Sequence, residues 1–309
     1  MKTLVLGAGG VGGYFGGRMV EAGADVTFLV RPKRAAALAK DGLRIASPYG
    51  NATLKVKFVM QDAVKPEYDL VMFTTKAYDL VSGMDAIAPA MGGTAVVLPF
   101  LNGMAHLQVL DERFGRDKVL GGVAYIAAML APDGEVRQLA EFQRIVFGPR
   151  AASQKRACQA LSADLAGVKF DWKQLDDIDQ AMWEKWVMLA TIAGITSLMR
   201  APVGDIVFTG SGEKLTLALL AECAAIARAA GFPPGEAAMA TYRGMATAKG
   251  SFFGASMMRD IESGGAIEGD HVLGALLSLA RKHGLATPML EVSTTHVEAY
   301  SARRAREAR

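Results

Sequence analysis

A glycine-rich turn near the start of the chain is the first group of residues whose types and spacing could do chemistry. Its six residues are Gly7, Ala8, Gly9, Gly10, Val11 and Gly12. They follow the apolar run 2–6, and a second apolar run, 24–30, comes at the distance that a strand–helix–strand unit requires. In such a turn the first glycine permits a tight bend, the second lets the backbone approach a pyrophosphate, and the third lets the next helix pack closely. Because free N–H groups at the helix start bind phosphate, the pattern predicts a dinucleotide-binding turn.

The residue after the second predicted strand bears on which dinucleotide is bound. A carboxylate there would hold the adenosine ribose of NAD, but this chain has Arg31. A guanidinium can make a forked, charge-assisted contact with a 2′-phosphate, so Arg31 favours NADP over NAD. The alternative is that Arg31, Lys33 and Arg34 form a solvated basic turn before the next helix.

A lysine in the second half of the chain is the candidate catalytic residue. The segment 176–199 is predicted to be a long helix, and Lys185 lies on its apolar stripe with Met182 and Leu189. Burial lowers the pKa of an ammonium group, which makes Lys185 a plausible proton donor near neutral pH. The alternative is a lysine that extends out of an apolar surface or pairs with Glu184 or a distant acid.

Two polar residues follow predicted strands at the edge of the sheet where ligands bind. Lys76 comes after the fourth strand and Asn102 after the fifth. Lys76 could contact a phosphate or carboxylate, and the Asn102 carboxamide could both donate to and accept from nicotinamide, ribose or substrate. Alternatively, Lys76 begins a helix and points to water, and Asn102 with Gly103 forms an ordinary turn.

A late polar segment supplies two further candidates. Ser256 could donate to a carboxylate, and Glu268 could accept from a ribose hydroxyl or orient Lys185. Ser256 could instead cap a helix. The histidines and cysteines have no metal-ligand spacing, so no metal site is predicted. These residues are His106, His271, His283, His296, Cys158 and Cys223.

The order of elements predicts an α/β protein of two domains. The chain has 309 residues and 51% hydrophobic content, which is ample for two cores. Apolar runs alternate with helical or turn-rich segments, as in a doubly wound parallel sheet, and two short strands could extend that sheet in antiparallel fashion. The pattern then becomes helical, with at most a strand at 168–171, which predicts domains at 1–168 and 169–309. After the second strand, the predicted strands are 54–59, 69–74, 95–99, 119–123, 136–139 and 143–147.

Composition limits the partners of the chain. The formal net charge is only +3, and the basic excess is concentrated at 303–309 without interleaved aromatic residues, so no nucleic acid is expected. No apolar run resembles a signal peptide or a membrane span, so we expect a cytoplasmic protein that does not bind membranes.

Several of these residues together resemble the ketopantoate reductase (2-dehydropantoate 2-reductase) family. They are Gly7 to Gly12, Arg31, Thr75 to Ala77, Asn102-Gly103, Trp183 to Lys185, Ser256-Met257 and Ile267-Glu268. The resemblance implies NADPH-dependent reduction of a 2-oxo acid, a Rossmann-type domain, and a helical domain similar to that of 6-phosphogluconate-type dehydrogenases. It further implies that the glycine loop, Asn102, Ala128 and Glu268 bind the cofactor, that Lys185 donates the proton, and that Asn102 and Ser256 contact substrate.

The chain departs from the family pattern at the substrate end. The family typically has asparagines four and eight residues after the lysine, where this chain has Leu189 and Ala193, and it often has another amide where this chain has Phe253. A buried substrate hydroxyl without its partner would cost about 1–3 kcal/mol. A less polar carbonyl substrate is therefore an alternative to ketopantoate, and a non-enzymatic NADP-binding sensor is a second alternative. A homo-oligomer is left open.

Overall fold

The computed structural model describes residues 1–307, which form two compact units. The first unit comprises Met1–Leu101 and His106–Ile178, and the second comprises Asn102–Ala105 and the chain from Asp179 onward. Each unit has its own apolar core. The predicted basic tail is helical as far as Glu307, and its last two residues, Ala308 and Arg309, lie outside the described part of the chain.

A five-stranded parallel sheet forms the centre of the first unit. Its strands are β1 (Thr3–Leu6), β2 (Val26–Leu29), β5 (Lys57–Val59), β6 (Leu70–Phe73) and β7 (Val96–Pro99). Their spatial order is β5-β2-β1-β6-β7, with β1 flanked on one side by β2 and on the other by β6. Strands β1, β6 and β7 are buried at every position, which is typical of parallel strands that are covered on both faces.

A second sheet contains the remaining strands of this unit. These are β3 (Leu43–Ala46), β4 (Ala52–Leu54), β8 (Gly121–Leu130), β9 (Val136–Gly148) and β10 (Asp171–Gln174). The order of the sheet is β10-β9-β3-β4, and β8 pairs with β9 in antiparallel fashion. The helices of the unit are α1 (Gly10–Glu21), α2 (Pro32–Asp41), α3 (Leu80–Ile87), α4 (Ala105–Phe114) and α5 (Lys155–Asp164).

Five strand predictions are wrong in detail. The run 119–123, expected in the parallel sheet, overlaps β8, which pairs with β9 in the second sheet. The run 54–59 is divided between β4 and β5, which belong to different sheets. The runs 136–139 and 143–147 are one continuous strand, β9, and they extend a second sheet rather than the parallel one. The strand expected at 168–171 begins at Asp171. These differences arise because strand pairing is decided by partners distant in the chain, which local patterns do not contain.

Helices make up all regular elements in the described part of the second unit. They are α6 (Ile178–Met199), α7 (Val203–Phe208), α8 (Gly212–Ala229), α9 (Glu236–Ala246), α10 (Ser256–Glu262), a π-helical turn (Asp270–Gly274), α11 (Ala275–Lys282) and α12 (Pro288–Glu307). Four of the breaks fall at Pro202, Gly210 to Gly212, Pro233-Pro234 and Gly264-Gly265, where the sequence predicts them because proline and closely spaced glycines end helices. A Rossmann-type sheet followed by a helical unit confirms the predicted fold class.

Candidate active site

The glycine loop joins β1 to α1 and leaves no room for side chains on its inner face. Gly7 has φ +93° and donates its N–H to the Leu29 carbonyl at 2.9 Å. A Cβ added at Gly12 would overlap the Gly7 carbonyl oxygen, and one added at Gly10 would lie 2.7 Å from the Ala128 carbonyl oxygen. By contrast, a Cβ added at Gly9 would meet nothing within 4 Å. Gly12 and Gly10 are therefore required by contacts within the protein itself, whereas Gly9 leaves the open side of the turn free for a ligand.

This loop suits a dinucleotide pyrophosphate. Helix α1 begins at Gly10 with Gly9 as its N-cap, so its first amides point toward the open side of the turn. The Ala128 backbone lies against the loop, as its distance from Gly10 indicates. The sheet order also changes direction between β1 and β6, the place where open α/β sheets bind their ligands.

Arg31 lies at the end of β2 and is paired with an acid that the sequence reasoning missed. Its Nη2 lies 2.8 Å from Asp79 Oδ1, and the Arg31 side chain is 75% exposed. Asp79 ends the 3₁₀ turn that follows β6, and Lys76 is the N-cap of the same turn. The sequence carried one usable signal for Asp79: it follows a strand predicted to lie in the parallel sheet, within three residues of Lys76.

Arg34 is not part of a solvated basic turn. Its Nε donates to the Ala8 carbonyl at 3.0 Å and its Nη1 to the Gly134 carbonyl at 2.7 Å. Burial lowers the pKa of the Arg34 guanidinium, with a smaller contribution from Arg44. Arg34 therefore fastens the glycine loop to the β8–β9 turn, while Lys33 is exposed as the alternative expected.

Lys185 occupies the middle of α6 in the second unit. Burial lowers the pKa of its ammonium group to about 8, and the negative charge of Glu268 opposes this shift. The Glu184 carboxylate accepts instead from the Gly235 N–H at 3.0 Å, at the start of α9. The acid that acts on Lys185 is thus Glu268.

Asn102 belongs to the second unit and contacts the same glutamate, Glu268. Asn102 Nδ2 donates to Glu268 Oε2 at 3.4 Å, and Glu268 is buried. Gly103, with φ +75°, lies so close to His271 that an added Cβ would be 2.9 Å from the His271 carbonyl oxygen. Burial lowers the pKa of His271, which favours the neutral imidazole. Asn102, Lys185 and Glu268 are therefore grouped within one unit, although 166 residues separate Asn102 from Glu268.

The residues around α6 are largely apolar. Ala193 is buried, and Leu189 and Phe253 pack against the core of the helical unit. Thr191, on the side of α6 away from the apolar stripe, is also buried and donates to the Val187 carbonyl at 2.8 Å. Since α6 is covered on more than one side, the single apolar stripe underestimated its burial.

Ser256 is the first residue of α10. The preceding residue, Ala255, donates its N–H to Thr196 Oγ1 at 3.3 Å, which ties the start of α10 to the C-terminal part of α6. The substrate role of Ser256, like the roles of Lys76 and Ala128, stays a prediction.

Chemically, the two units hold complementary parts. The first presents a glycine turn with cationic groups, which suits a dinucleotide. The second presents an ammonium group of lowered pKa with a carboxamide and a carboxylate, which suits proton transfer to a carbonyl oxygen.

Comparisons with known proteins identify the same protein family in both units. A family profile described as ketopantoate reductase PanE/ApbA matches residues 3–152, and its C-terminal counterpart matches residues 177–301. An uncharacterized oxidoreductase of Bacillus subtilis, YkpB, is 36% identical over 98% of this chain and 99% of its own length.

Solved structures share the fold of this chain over nearly its whole length. The 2-dehydropantoate 2-reductase of Geobacter metallireducens is 27% identical, with a TM-score of 0.88 over 97% of this chain and 99% of its own. A D-mandelate dehydrogenase solved with NADH and anilino(oxo)acetate has a TM-score of 0.88 at 21% identity, over 99% of both chains, and shares the fold. Across residues 1–307, no helix is both long and apolar enough to cross a membrane.

Proposed function

Because this chain belongs to the ketopantoate reductase family and is therefore an oxidoreductase of the 2-dehydropantoate 2-reductase type, we propose that it reduces a 2-oxo acid to a 2-hydroxy acid with NADPH. The observation that carries the proposal is the grouping of Lys185 in one unit with Asn102 and the buried Glu268, whose side chains lie 3.4 Å apart. In that setting burial lowers the pKa of the Lys185 ammonium group to about 8, against the opposing charge of Glu268. Lysines on helix surfaces normally stay charged to far higher pH.

The cofactor is assigned to the first unit. The glycine loop holds the pyrophosphate, and Arg31 binds the 2′-phosphate, with Lys76 as a further phosphate contact. Gly9 supports this assignment, because a Cβ there would meet nothing within 4 Å and the turn is therefore open on the side that a pyrophosphate would approach. Bound NADPH supplies the hydride, and in this proposal Asn102, Ala128 and Glu268 position its nicotinamide end.

Lys185 acts on the oxygen of the substrate carbonyl. The ammonium group donates a hydrogen bond to that oxygen, which makes the carbon more electrophilic. As negative charge develops on the oxygen, Lys185 transfers its proton, so that the product is a neutral alcohol and the lysine is left as an amine. A pKa near 8 suits this task, because the group is mostly protonated at neutral pH and still a competent acid.

The substrate is 2-dehydropantoate by resemblance, and a less polar 2-oxo acid is the second candidate. Leu189, Ala193 and Phe253 favour the second, since all three add apolar surface where the family pattern has amides. A D-mandelate dehydrogenase solved with NADH and anilino(oxo)acetate shares this fold, which supports including an aromatic 2-oxo acid among the candidate substrates. Ser256 and Asn102 are the proposed substrate contacts in both cases.

The cellular context depends on the proposed substrate. With 2-dehydropantoate as substrate, the enzyme would act in pantothenate biosynthesis in the cytoplasm. Homo-oligomerisation stays a prediction, which light scattering of the purified protein would test.

A panel of substrates tests the proposal directly. The purified protein is incubated with NADPH and either 2-dehydropantoate, a branched 2-oxo acid or an aromatic 2-oxo acid, and the loss of absorbance is followed. We expect turnover that falls at least 100-fold in Lys185→Ala, because the proton donor is missing. The matched control is Lys214→Ala, an exposed lysine of α8, which should retain the activity.

Two results would contradict the proposal. An unaltered rate in Lys185→Ala would remove the lysine from the mechanism. Tight NADPH binding without turnover across the whole panel would favour a sensor that binds the cofactor without chemistry.

A further inference from the structure

The Arg31–Asp79 ion pair spans the carboxyl end of β1, next to the glycine loop. Strand β2 lies on one side of β1 and leads to Arg31, while β6 lies on the other side and leads to Asp79. The two side chains meet with Nη2 and Oδ1 2.8 Å apart. Side chains from the segments that follow the two strands flanking β1 thus meet at the edge of the sheet where a dinucleotide binds in this type of fold.

Each partner of this pair suits a different cofactor. In this type of sheet a carboxylate at the end of the second strand accepts a hydrogen bond from the ribose 2′-hydroxyl of NADH, whereas a guanidinium there binds the 2′-phosphate of NADPH. Asp79 follows β6, but its carboxylate reaches that position through its contact with Arg31. This chain has both groups in contact. To bind Arg31, a 2′-phosphate must break the ion pair between Arg31 and Asp79. The phosphate then lies close to the Asp79 carboxylate, which is also negatively charged. A 2′-hydroxyl can donate to Asp79 while the ion pair persists.

Asp79 is the more firmly placed of the two partners. Its N–H donates to the Lys76 carbonyl at 2.9 Å, and its carbonyl accepts from Ser82 Oγ at 3.1 Å. The side chain of Asp79 is 31% exposed, against 75% for Arg31. The arginine can therefore move away on its long, solvated side chain, whereas the Asp79 carboxylate is held in place.

We propose that Asp79 is a cofactor-specificity residue that binds the ribose 2′-hydroxyl and weakens the preference for a 2′-phosphate, so that the protein accepts NADH as well as NADPH. The inference rests on the proposed function only in placing a nicotinamide dinucleotide at the glycine loop. It assigns opposite effects to two residues in contact, with Arg31 favouring NADPH and Asp79 favouring NADH.

Direct binding measurements on Asp79→Asn test this inference without any substrate. The dissociation constants of NADPH and NADH are measured from the fluorescence of the reduced nicotinamide. We expect tighter NADPH binding and weaker NADH binding. The dissociation constant of NADH divided by that of NADPH should rise by about tenfold, which corresponds to about 1.4 kcal/mol. The gain in NADPH affinity should shrink between 50 mM and 500 mM salt (roughly 14 Å and 4 Å Debye lengths), because exposed charges are screened.

Two further variants separate this effect from a general change in charge. Asp85→Asn removes an exposed aspartate of α3 that lies 3.3 Å from Arg113, and it should leave the ratio unchanged. In an Arg31→Ala background, Asp79→Asn should still weaken NADH binding, because the carboxylate contacts the hydroxyl directly.

The inference is overturned if Asp79→Asn changes the ratio by less than twofold, or if Asp85→Asn changes it equally. Failure of the proposed reductase reaction is a separate outcome, since both dissociation constants are obtained in the absence of a 2-oxo acid.

Discussion

Replacement of Glu268 by glutamine should move the pH dependence of catalysis to lower pH. The negative charge of Glu268 raises the pKa of Lys185, against the larger effect of burial. Glutamine removes the charge but keeps an oxygen that can accept from Asn102 Nδ2, now 3.4 Å from Glu268. The substitution therefore changes the electrostatics of the lysine with little change in shape.

The size of the shift follows from the charge that is removed. An opposite charge close enough to shift a pKa contributes about 2 kcal/mol of attraction at an effective dielectric constant of about 20. Since one pH unit corresponds to about 1.4 kcal/mol, the midpoint for deprotonation of Lys185 should fall by about 1–1.5 pH units. Above its midpoint the lysine has no proton to donate, so the rate declines with rising pH.

The assay is the pH profile of kcat at saturating cofactor and substrate between pH 5.5 and 10. The wild-type protein should lose activity above a midpoint at about 8. His271 does not produce this basic limb, because burial lowers its pKa below the ordinary histidine value. A parallel titration of the lysine 13Cε resonance should give the same midpoint without turnover. The matched control is Glu262→Gln, an exposed residue at the end of α10.

Three results would refute this reasoning. The first is a wild-type limb near pH 10, the ordinary range of lysine. The second is a midpoint that stays in place or rises in Glu268→Gln. The third is an equal shift in Glu262→Gln, which would assign the effect to overall charge.

Two further predictions concern the loop and the substrate pocket. Gly12→Ala should lower the free energy of unfolding by about 1–3 kcal/mol in urea denaturation, because its Cβ would overlap the Gly7 carbonyl oxygen. Gly9→Ala, with open space around the new methyl group, should leave the free energy of unfolding nearly unchanged but weaken NADPH binding in a fluorescence titration. The prediction is contradicted if Gly9→Ala destabilises the protein as much as Gly12→Ala does. Leu189→Asn should raise kcat/KM for 2-dehydropantoate relative to an aromatic 2-oxo acid by about tenfold, since an amide can pair with the substrate hydroxyl. An unchanged ratio in competition assays would exclude Leu189 from the substrate pocket.

Local patterns predicted the elements that depend on neighbours in the chain. Strand β1, the glycine turn and α1 were found because each glycine meets a backbone requirement within the same 20 residues. Helix α6 was found within two residues of its start, and the place of Lys185 among apolar neighbours followed from helical periodicity. The breaks between helices of the second unit followed in the same way from proline and glycine.

Elements that depend on distant partners were missed or misplaced. Strand β3 was not predicted, although it pairs with both β4 and β9. Its four residues carry too short an alternation to be distinguished from a loop. The second sheet was missed as a whole, since its strands come from widely separated parts of the first unit.

The sequence by itself determined the cofactor class and the candidate proton donor, because a glycine turn and a lysine on an apolar helix face are local properties. The tertiary structure alone decided which charges surround them. It brought Asp79 to Arg31 across 48 residues and Glu268 to Asn102 across 166. Electrostatic interactions depend on distance in space rather than along the chain, so the pKa of Lys185 and the proposed balance between NADPH and NADH arise only once the chain has folded.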